Sequence, residues 1–506
     1  MSSDFISKTL SSNESTLKKI IGESFDIQCR HFKIPALNNS EAFVVYVSGL
    51  VDGRIIDETI IKPLILYPEG QSELTLHRKE NRVSLLMEKG VFTAAAKETT
   101  RMGEAVSGVL EGDTALFIDE CTAVLVLNTR KYEGRAVSEP VTESEIKGPR
   151  DGFVENIQTN AALIRRRIKD PGLRFDKMTI GARTQTTVCV SYIDGLTNDK
   201  LIGEVKQRLG RIKTDGVISS EEIQELIEDT PYSIFPGIHN TERPDKVCSA
   251  LLEGRVVVLV DNTPFVSIIP AVYWEFFTSS GDYYSHFIYS SFIRWIRQLA
   301  LFISISASSF YVMLTSYHQE MLPTVLAMKI SADRAGVPFP AFLEAVIMEL
   351  IIEIMKEAGL RLPKPIGQTV SIVGSLVIGQ AAVAAGLVSP LLIIVIAVAA
   401  ISSFSIPNFR MSNAFQLLRF PVLAATACFG LLGYLACVIV VLLRLMSMRS
   451  YGTPYLAPVI PFDKSGQKDV FVRAPWWKMD WRPRFLKAKE GRRQAPNLRP
   501  KPPPKG

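Results

Sequence analysis

Glu349, Glu353 and Glu357 recur every fourth residue within a largely apolar stretch, Phe339–Ala358 (FPAFLEAVIMELIIEIMKEA). At 100° per residue they share one narrow helical stripe, while Phe342, Val346, Leu350, Ile351, Ile354 and Ala358 take the other side. Stacked carboxylates attract cations. A stripe of this kind facing lipid is excluded by its cost. Either it faces water at a membrane interface, or it lines a passage built from several chains, where a ring of glutamates favours cations. The rest of the chain offers little other chemistry. There is no Walker loop, GxSxG elbow or HExxH pair, and the run at residues 49–53 (GLVDG) is too short to cradle a phosphate. Cys29, Cys121, Cys189, Cys248, Cys428 and Cys437 are scattered without CxxC spacing, and the five histidines are dispersed. Reduced thiols, no metal, no cofactor and no enzymatic activity are the expectation.

The elements around the glutamates are apolar. Segments 366–387, 389–407 and 420–446 follow in close succession, with a fourth at 294–317. Each is about as long as a helix that crosses the ~30 Å bilayer core. Four spans are therefore expected, with the acidic amphipathic helix over 339–358 as an extra element between Pro338 and Gly359. The span at 294–317 carries Ser304, Ser306, Ser308 and Ser309. These either bond back to their own turn or form a polar face toward a partner helix or pore. Segment 366–387 has a small-residue face that includes Gly367, Ser371, Gly374 and Ser375, read as a helix-packing surface. Four spans return the chain to its starting side. Arg294, Arg297, Arg444 and Arg449 flank the first and last spans and mark that side as the cytoplasm.

Charge supports this orientation. Residues 474–506 hold ten Lys or Arg against Asp480 and Glu490, while the whole chain carries only +6. A basic tail just past a span suits an anionic lipid surface. Nucleic acid is not an expected partner, because the span tethers the tail to a membrane. The N-terminus lacks an apolar h-region, so the front half is expected to stay where it is made.

That front half is duplicated. Leu110–Asp119 (LEGDTALFID) matches Leu252–Asp261 (LEGRVVVLVD), and Val51–Gly53 matches Ile193–Gly195 at the same offset of 142 residues. Strand-like runs alternate with helical ones. Leu201, Val205 and Leu209 have helical spacing, and Ser219–Glu222 reads as a capping box. Alternation of this kind gives an α/β layer structure. Residues 255–277 are apolar enough for a span, yet their counterpart at 113–128 is too short and polar. Both read as strand–turn–strand, with Asp261, Asn262 and Pro264 in the turn.

Longer stretches then resemble a known family. They are Gly148–Phe153 (GPRDGF), Asn160–Arg167 (NAALIRRR), Thr241–Asp245 (TERPD), Val260–Phe265 (VDNTPF), His318–Glu320 (HQE), Gly336–Val373, Ile378–Gln380 (IGQ), Tyr451–Pro458 (YGTPYLAP) and Ala474–Trp477 (APWW). Together they resemble the A subunits of bacterial spore germinant receptors, the GerA family, over roughly residues 40–480. The stage V sporulation AF-type proteins are a sister branch with a similar membrane region. The resemblance implies a multi-pass subunit in the spore inner membrane. It implies a transporter-like B subunit and a lipoprotein C subunit as partners, and self-association into a ring that conducts ions out of the spore core. It carries no residue-level catalytic or ligand signature.

The expected organisation is an N-terminal amphipathic segment (1–28), two similar cytoplasmic α/β subdomains (29–137 and 138–290), an all-α transmembrane domain (291–448) and a basic, Pro-rich cytoplasmic tail (449–506). The leading expectation is a gated cation channel responding to nutrients. The alternative is a non-conducting scaffold that passes a signal from a partner.

Overall fold

The computed structural model describes residues 5–37, 39–66, 83, 86, 95–131, 140, 143, 145–361, 377, 379–496 and 498–501. They form two compact units. One comprises Met1–Pro231, Ile238–Ala271 and Met479–Gly506; the other comprises Tyr232–Gly237 and Val272–Lys478.

The first unit holds two five-stranded sheets of the same topology. Strands β1 (Ile27–Ile34), β2 (Ser40–Val47), β3 (Ala96–Thr99), β4 (Thr114–Ile118) and β5 (Val124–Leu127) lie in the order β1-β2-β4-β5-β3. Strands β6 (Leu173–Ile180), β7 (Thr186–Ile193), β8 (His239–Thr241), β9 (Val256–Val260) and β10 (Val266–Ile269) lie in the order β6-β7-β9-β10-β8. All pairings are antiparallel. Helices α1 (Leu10–Ile21) and α2 (Met102–Glu111) serve the first sheet. Helices α3 (Ile157–Arg167), α4 (Asp199–Gly210), α5 (Ser220–Ile227) and α6 (Pro244–Glu253) serve the second.

Both faces of the first sheet are covered. Val44, Leu116, Ile118, Leu125 and Leu127 point into one core; Phe43, Val45, Ala115, Phe117 and Val124 point into another, beneath α1 and α2. A strand covered on both faces loses the apolar–polar alternation and reads as continuously apolar. That is why 255–277 looks like a span: β9 and β10 within it are buried at every position.

The repeat extends further than the sequence match indicates. Asn13 accepts from Ser7 N–H and donates to Ser7 C=O (2.8 and 2.7 Å); Asn160 does the same with Val154 (2.8 and 2.6 Å). Asp119 accepts from Leu10 N–H at 3.3 Å, and Asp261 from Ile157 N–H at 3.2 Å. Hence α1 is the counterpart of α3, and each repeat starts before its first strand. One equivalence needs correction. The turn Ile193–Gly195 matches Val47–Gly49, not Val51–Gly53. Gly49 and Gly195 share positive φ (89° and 81°), and Ser48 and Asp194 donate backbone N–H to Asp26 and Gly172. The two copies differ in length between β2 and α2, so a single offset does not hold throughout. Ser219 also departs from a capping box: its side chain makes no cap bond, and Glu222 instead accepts from Ile218 N–H at 3.1 Å.

The basic tail is partly engaged by its own unit. Arg482 donates to Leu252 C=O at 2.8 Å, Lys489 N–H donates to Leu196 C=O at 2.9 Å, and Lys489 Nζ pairs with Asp199 at 2.7 Å.

The second unit is helical: α7 (Phe287–Ser316), α8 (Thr324–Arg334), α9 (Ala341–Arg361), α10 (Pro390–Ser403) and α11 (Phe409–Ser447). Among the described residues two helices, α7 and α11, are long and apolar enough to cross a membrane. The expected span at 389–407 is the shorter α10, 14 residues. The expected span at 366–387 lies largely outside the described residues, as do Gly367, Ser371, Gly374 and Ser375.

α11 is not one rod. Gly430 has φ 59° and ψ −135°, and the chain reverses there. Cys437 Sγ lies 3.9 Å from Pro421 C=O, a pair that a straight helix would hold about 24 Å apart. The segment is a helical hairpin with arms on either side of Gly430. Gly433 makes the close approach possible: a Cβ there would stand 2.0 Å from Ala425 C=O. A residue of any other type forces the arms apart.

Candidate functional site

Four polar residues meet inside the helical unit. Ser304 and Ser308, one turn apart on α7, face α9 and the first arm of α11. Ser308 Oγ donates to Glu349 Oε1. Arg419 Nη2 donates to Ser304 Oγ at 3.1 Å, and Arg419 Nε stands 3.8 Å from Glu349 Oε2. The Glu349 and Arg419 side chains are 1% and 4% exposed, so the pair is dry and its charges are balanced within one chain. Ser306 bonds Tyr434 Oη of the second arm at 2.7 Å. Ser304, Ser306 and Ser308 thus make contacts between helices rather than back to their own turn, whereas the buried Ser309 hydroxyl has no hydrogen-bond partner among the described residues.

A second buried carboxylate lies nearby. Glu344 accepts from Arg334 Nη2 at 3.3 Å and from Ser389 N–H at 3.1 Å, while Tyr311 Oη bonds Ser389 Oγ at 2.7 Å. Through these contacts α7, α8, α9 and α10 are tied at one place. Lys356, a turn beyond Glu353, donates to Gln416 Oε1.

The acidic stripe is therefore graded. Glu349 is buried, Glu353 is half-buried, and Glu357 is exposed and paired with Arg361 at 2.7 Å. Glu353 and Glu357 thus lie toward the surface of the unit, and Glu349 does not. The inner one turns into the bundle, because α9 packs Ala341, Ala345 and Met348 against Leu392, Ile396 and Leu423.

The arginines at the start of α7 are also engaged. Asp282 accepts from Arg297 Nη1 and Nη2 (2.6 and 2.9 Å) and from Arg294 Nε (3.3 Å); Arg294 Nη1 reaches Asp469 Oδ1 at 2.8 Å. Tyr283 Oη donates to Asp469 at 2.7 Å, and Arg473 lies 5.1 Å over the Trp476 ring. The segment from Asp469 to Trp476 thus folds back on the entry of α7, at one end of the bundle.

In the first unit, Asp261, Asn262 and Pro264 lie in the β9–β10 turn. Asp261 holds the N-terminus of α3, and Asn262, with φ 66°, donates its N–H to Glu155 C=O at 2.8 Å. Asp119 and Glu120, with φ 63°, repeat this clasp, which is architectural in both copies. The two subdomains are joined by a buried ion pair. Arg165 Nε and Nη2 donate to Asp26 at 3.0 and 3.2 Å, and the guanidinium lies 5.1 Å over Phe175. Beside it is a cavity of about 530 Å³, bordered by Glu14, Leu17, Cys29, Phe43, Phe175 and Asp176.

Sequence reasoning missed Glu344, Arg419 and Arg334. Arg419 sits at the head of an apolar run, where a lone cation resembles a flanking charge. Arg334 and Glu344 straddle the turn at Gly336–Pro340, and opposite charges so placed were the available signal.

Residues 15–485 match the family described as Bacillus/Clostridium GerA spore germination protein. The chain belongs to the GerA family. Among its relatives, spore germination protein KA of Bacillus subtilis (strain 168) is 42% identical over 497 residues, covering 98% of this chain and 90% of that protein. Spore germination protein A1 of the same organism is 42% identical over 433 residues, 86% of this chain and 87% of that one. The membrane protein YfkQ, also from Bacillus subtilis, is 39% identical over 496 residues, 98% and 95% of the two chains. The crystal structure of the N-terminal domain of the A subunit of the Bacillus megaterium spore germinant receptor GerK3 aligns with a TM-score of 0.43 and 34% identity, covering 54% of this chain and 99% of that one. This GerA-family chain is accordingly a component of a spore germination receptor.

Proposed function

We propose that this chain is a germinant-receptor A subunit that self-associates into a ring in the spore inner membrane and provides a gated path for cations leaving the spore core. Its first unit and tail face the cytoplasm, and it works with a transporter-like B subunit and a lipoprotein C subunit. Basic residues of the tail not engaged within the chain meet anionic lipid.

The observation that carries this reading is the graded acidic stripe on α9. A path needs carboxylates that an ion can reach, and half-buried Glu353 and exposed Glu357 meet that requirement. Among the described residues Glu353 has no ion-pair partner, while the inner Glu349 is neutralised by Arg419. Glu349 and Arg419 then act as a latch between α7, α9 and the hairpin rather than as part of the lining. A chain with few spans cannot enclose a conduit alone, so the path is formed by several copies around an axis.

A second reading rests on the same pair. Because the buried charges are balanced within one chain, the helical unit also suits a non-conducting scaffold that passes movement from a partner to the duplicated domains. Native mass measurement of the full chain in lipid nanodiscs, with and without B and C subunits, separates the two. Rings of several A chains support the path; single A chains bound to one partner overturn it and leave the scaffold.

A further inference from the structure

Cys29 and His31 lie two apart on β1 and therefore point to the same face of the strand. α1 crosses that face and brings Glu14 to them. Cys29 Sγ is 3.7 Å from His31 Nε2, and His31 Nε2 is 3.7 Å from Glu14 Oε2. One ligand atom from each residue falls within 4.8 Å of the other two. In a tetrahedral zinc site with Zn–S of about 2.3 Å and Zn–N or Zn–O of about 2.0–2.1 Å, donor atoms stand roughly 3.3–3.6 Å apart. The distances to His31 Nε2 exceed that spacing by only a few tenths of an ångström.

Two features around the trio fit a metal site. Lys18 Nζ holds the other Glu14 oxygen, Oε1, at 2.9 Å. It fixes the carboxylate and leaves Oε2 toward His31, as an outer-shell partner does for a ligating group. Glu14 and Cys29 also border the cavity between the subdomains, so an ion held here has a route for exchange and room for a further ligand.

We propose that Glu14, Cys29 and His31 bind one divalent transition-metal ion of the zinc class, with three protein ligands and a fourth position open to water or a small ligand. The donor set is one thiolate, one imidazole and one carboxylate, which favours zinc or cobalt over magnesium or calcium. Binding replaces the Cys29 S–H bond with a metal–sulfur bond and releases one proton to solvent. A bound dication deprotonates the sulfur. The sequence conceals the site, since a Cys-x-His pair alone is not a metal motif and Glu14 joins it only through the fold.

The test is a titration of the tag-free full chain in detergent with Co²⁺. One Co²⁺ per chain, with a thiolate-to-cobalt charge-transfer band, is the expected result. Cys29→Ser must abolish the band, and His31→Ala and Glu14→Gln must each weaken binding at least tenfold. The double variant C428S/C437S must retain both band and affinity. Unfolding midpoints of the metal-free variants matching that of the parent show that the losses are local. A parent chain without the band, a band that persists in Cys29→Ser, or a His31→Ala chain that binds as tightly as the parent overturns the assignment. If Cys29→Ser does not fold, the band and affinity in Glu14→Gln and His31→Ala decide alone.

Discussion

Substituting Arg419 by leucine leaves Glu349 without its partner inside the helical unit. The two groups are 3.8 Å apart, and neither side chain is more than 4% exposed. At an effective dielectric of about 20, unit charges at that separation attract by about 4 kcal/mol. Arg419 also donates to Ser304 at 3.1 Å, and a hydrogen bond from a charged group contributes about 1.5–3 kcal/mol. Desolvation of both ions offsets most of this, so the intact pair has little net worth. Breaking it is different: an unpaired buried charge costs about 3–5 kcal/mol. R419L and E349Q should therefore each destabilise the helical unit by about 3 kcal/mol, and the double variant E349Q/R419L by at least ~2 kcal/mol less than the sum. The assay is denaturant unfolding of the full chain in detergent, with hydrogen exchange around Ser304–Ser308 as the local reporter. Single-variant losses that add to within about 0.5 kcal/mol would refute the coupling and remove the latch.

Asp26→Ala strips the counter-charge from Arg165, whose side chain is 1% exposed; the first unit should lose about 3–5 kcal/mol, read as a lower unfolding midpoint, whereas an unchanged midpoint contradicts the clasp between subdomains. Gly433→Ala places a Cβ 2.0 Å from Ala425 C=O. It should open the α11 hairpin, seen as loss of a disulfide-length crosslink engineered between positions 421 and 437; a crosslink retained in Gly433→Ala contradicts the need for glycine there, and a parent chain that cannot form it contradicts the reversal at Gly430. Metal-free Cys29 is surface-accessible yet has its thiol raised to about 11. Near pH 8 only about one part in 10³ is thiolate, and the thiolate is the nucleophile. Alkylation, followed by mass spectrometry of the Cys29 peptide, should therefore climb about tenfold per pH unit up to roughly pH 11, and a plateau by pH 9 contradicts the shift.

Much of the first unit was legible in the residues. The Leu-Glu-Gly repeat falls at the C-termini of α2 and α6, where Gly112 and Gly254 adopt φ of 98° and 93°; glycine tolerates that left-handed turn and thus keeps the signature readable. Val51–Gly53 competes with Val47–Gly49 in the sequence because it keeps the aliphatic-Asp-Gly pattern of Ile193–Gly195, whereas the true counterpart has serine at the middle position. The membrane half was harder. An apolar run of 27 residues at 420–446 looks like one span, since composition does not reveal a reversal made by one positive-φ glycine and one close contact at Gly433. The acidic stripe was legible as a stripe, but helical spacing says only which residues share a face. What covers that face depends on α7 and Arg419, which are distant in sequence.

The most direct test of the cation path is the reversal potential of the purified A subunit, with its partners, in a planar bilayer under a KCl gradient. The account gives a cation-selective current whose reversal potential moves toward zero in Glu353→Gln and in Glu357→Gln. A bilayer that stays silent under every condition, or a current whose selectivity both substitutions leave unchanged, contradicts it.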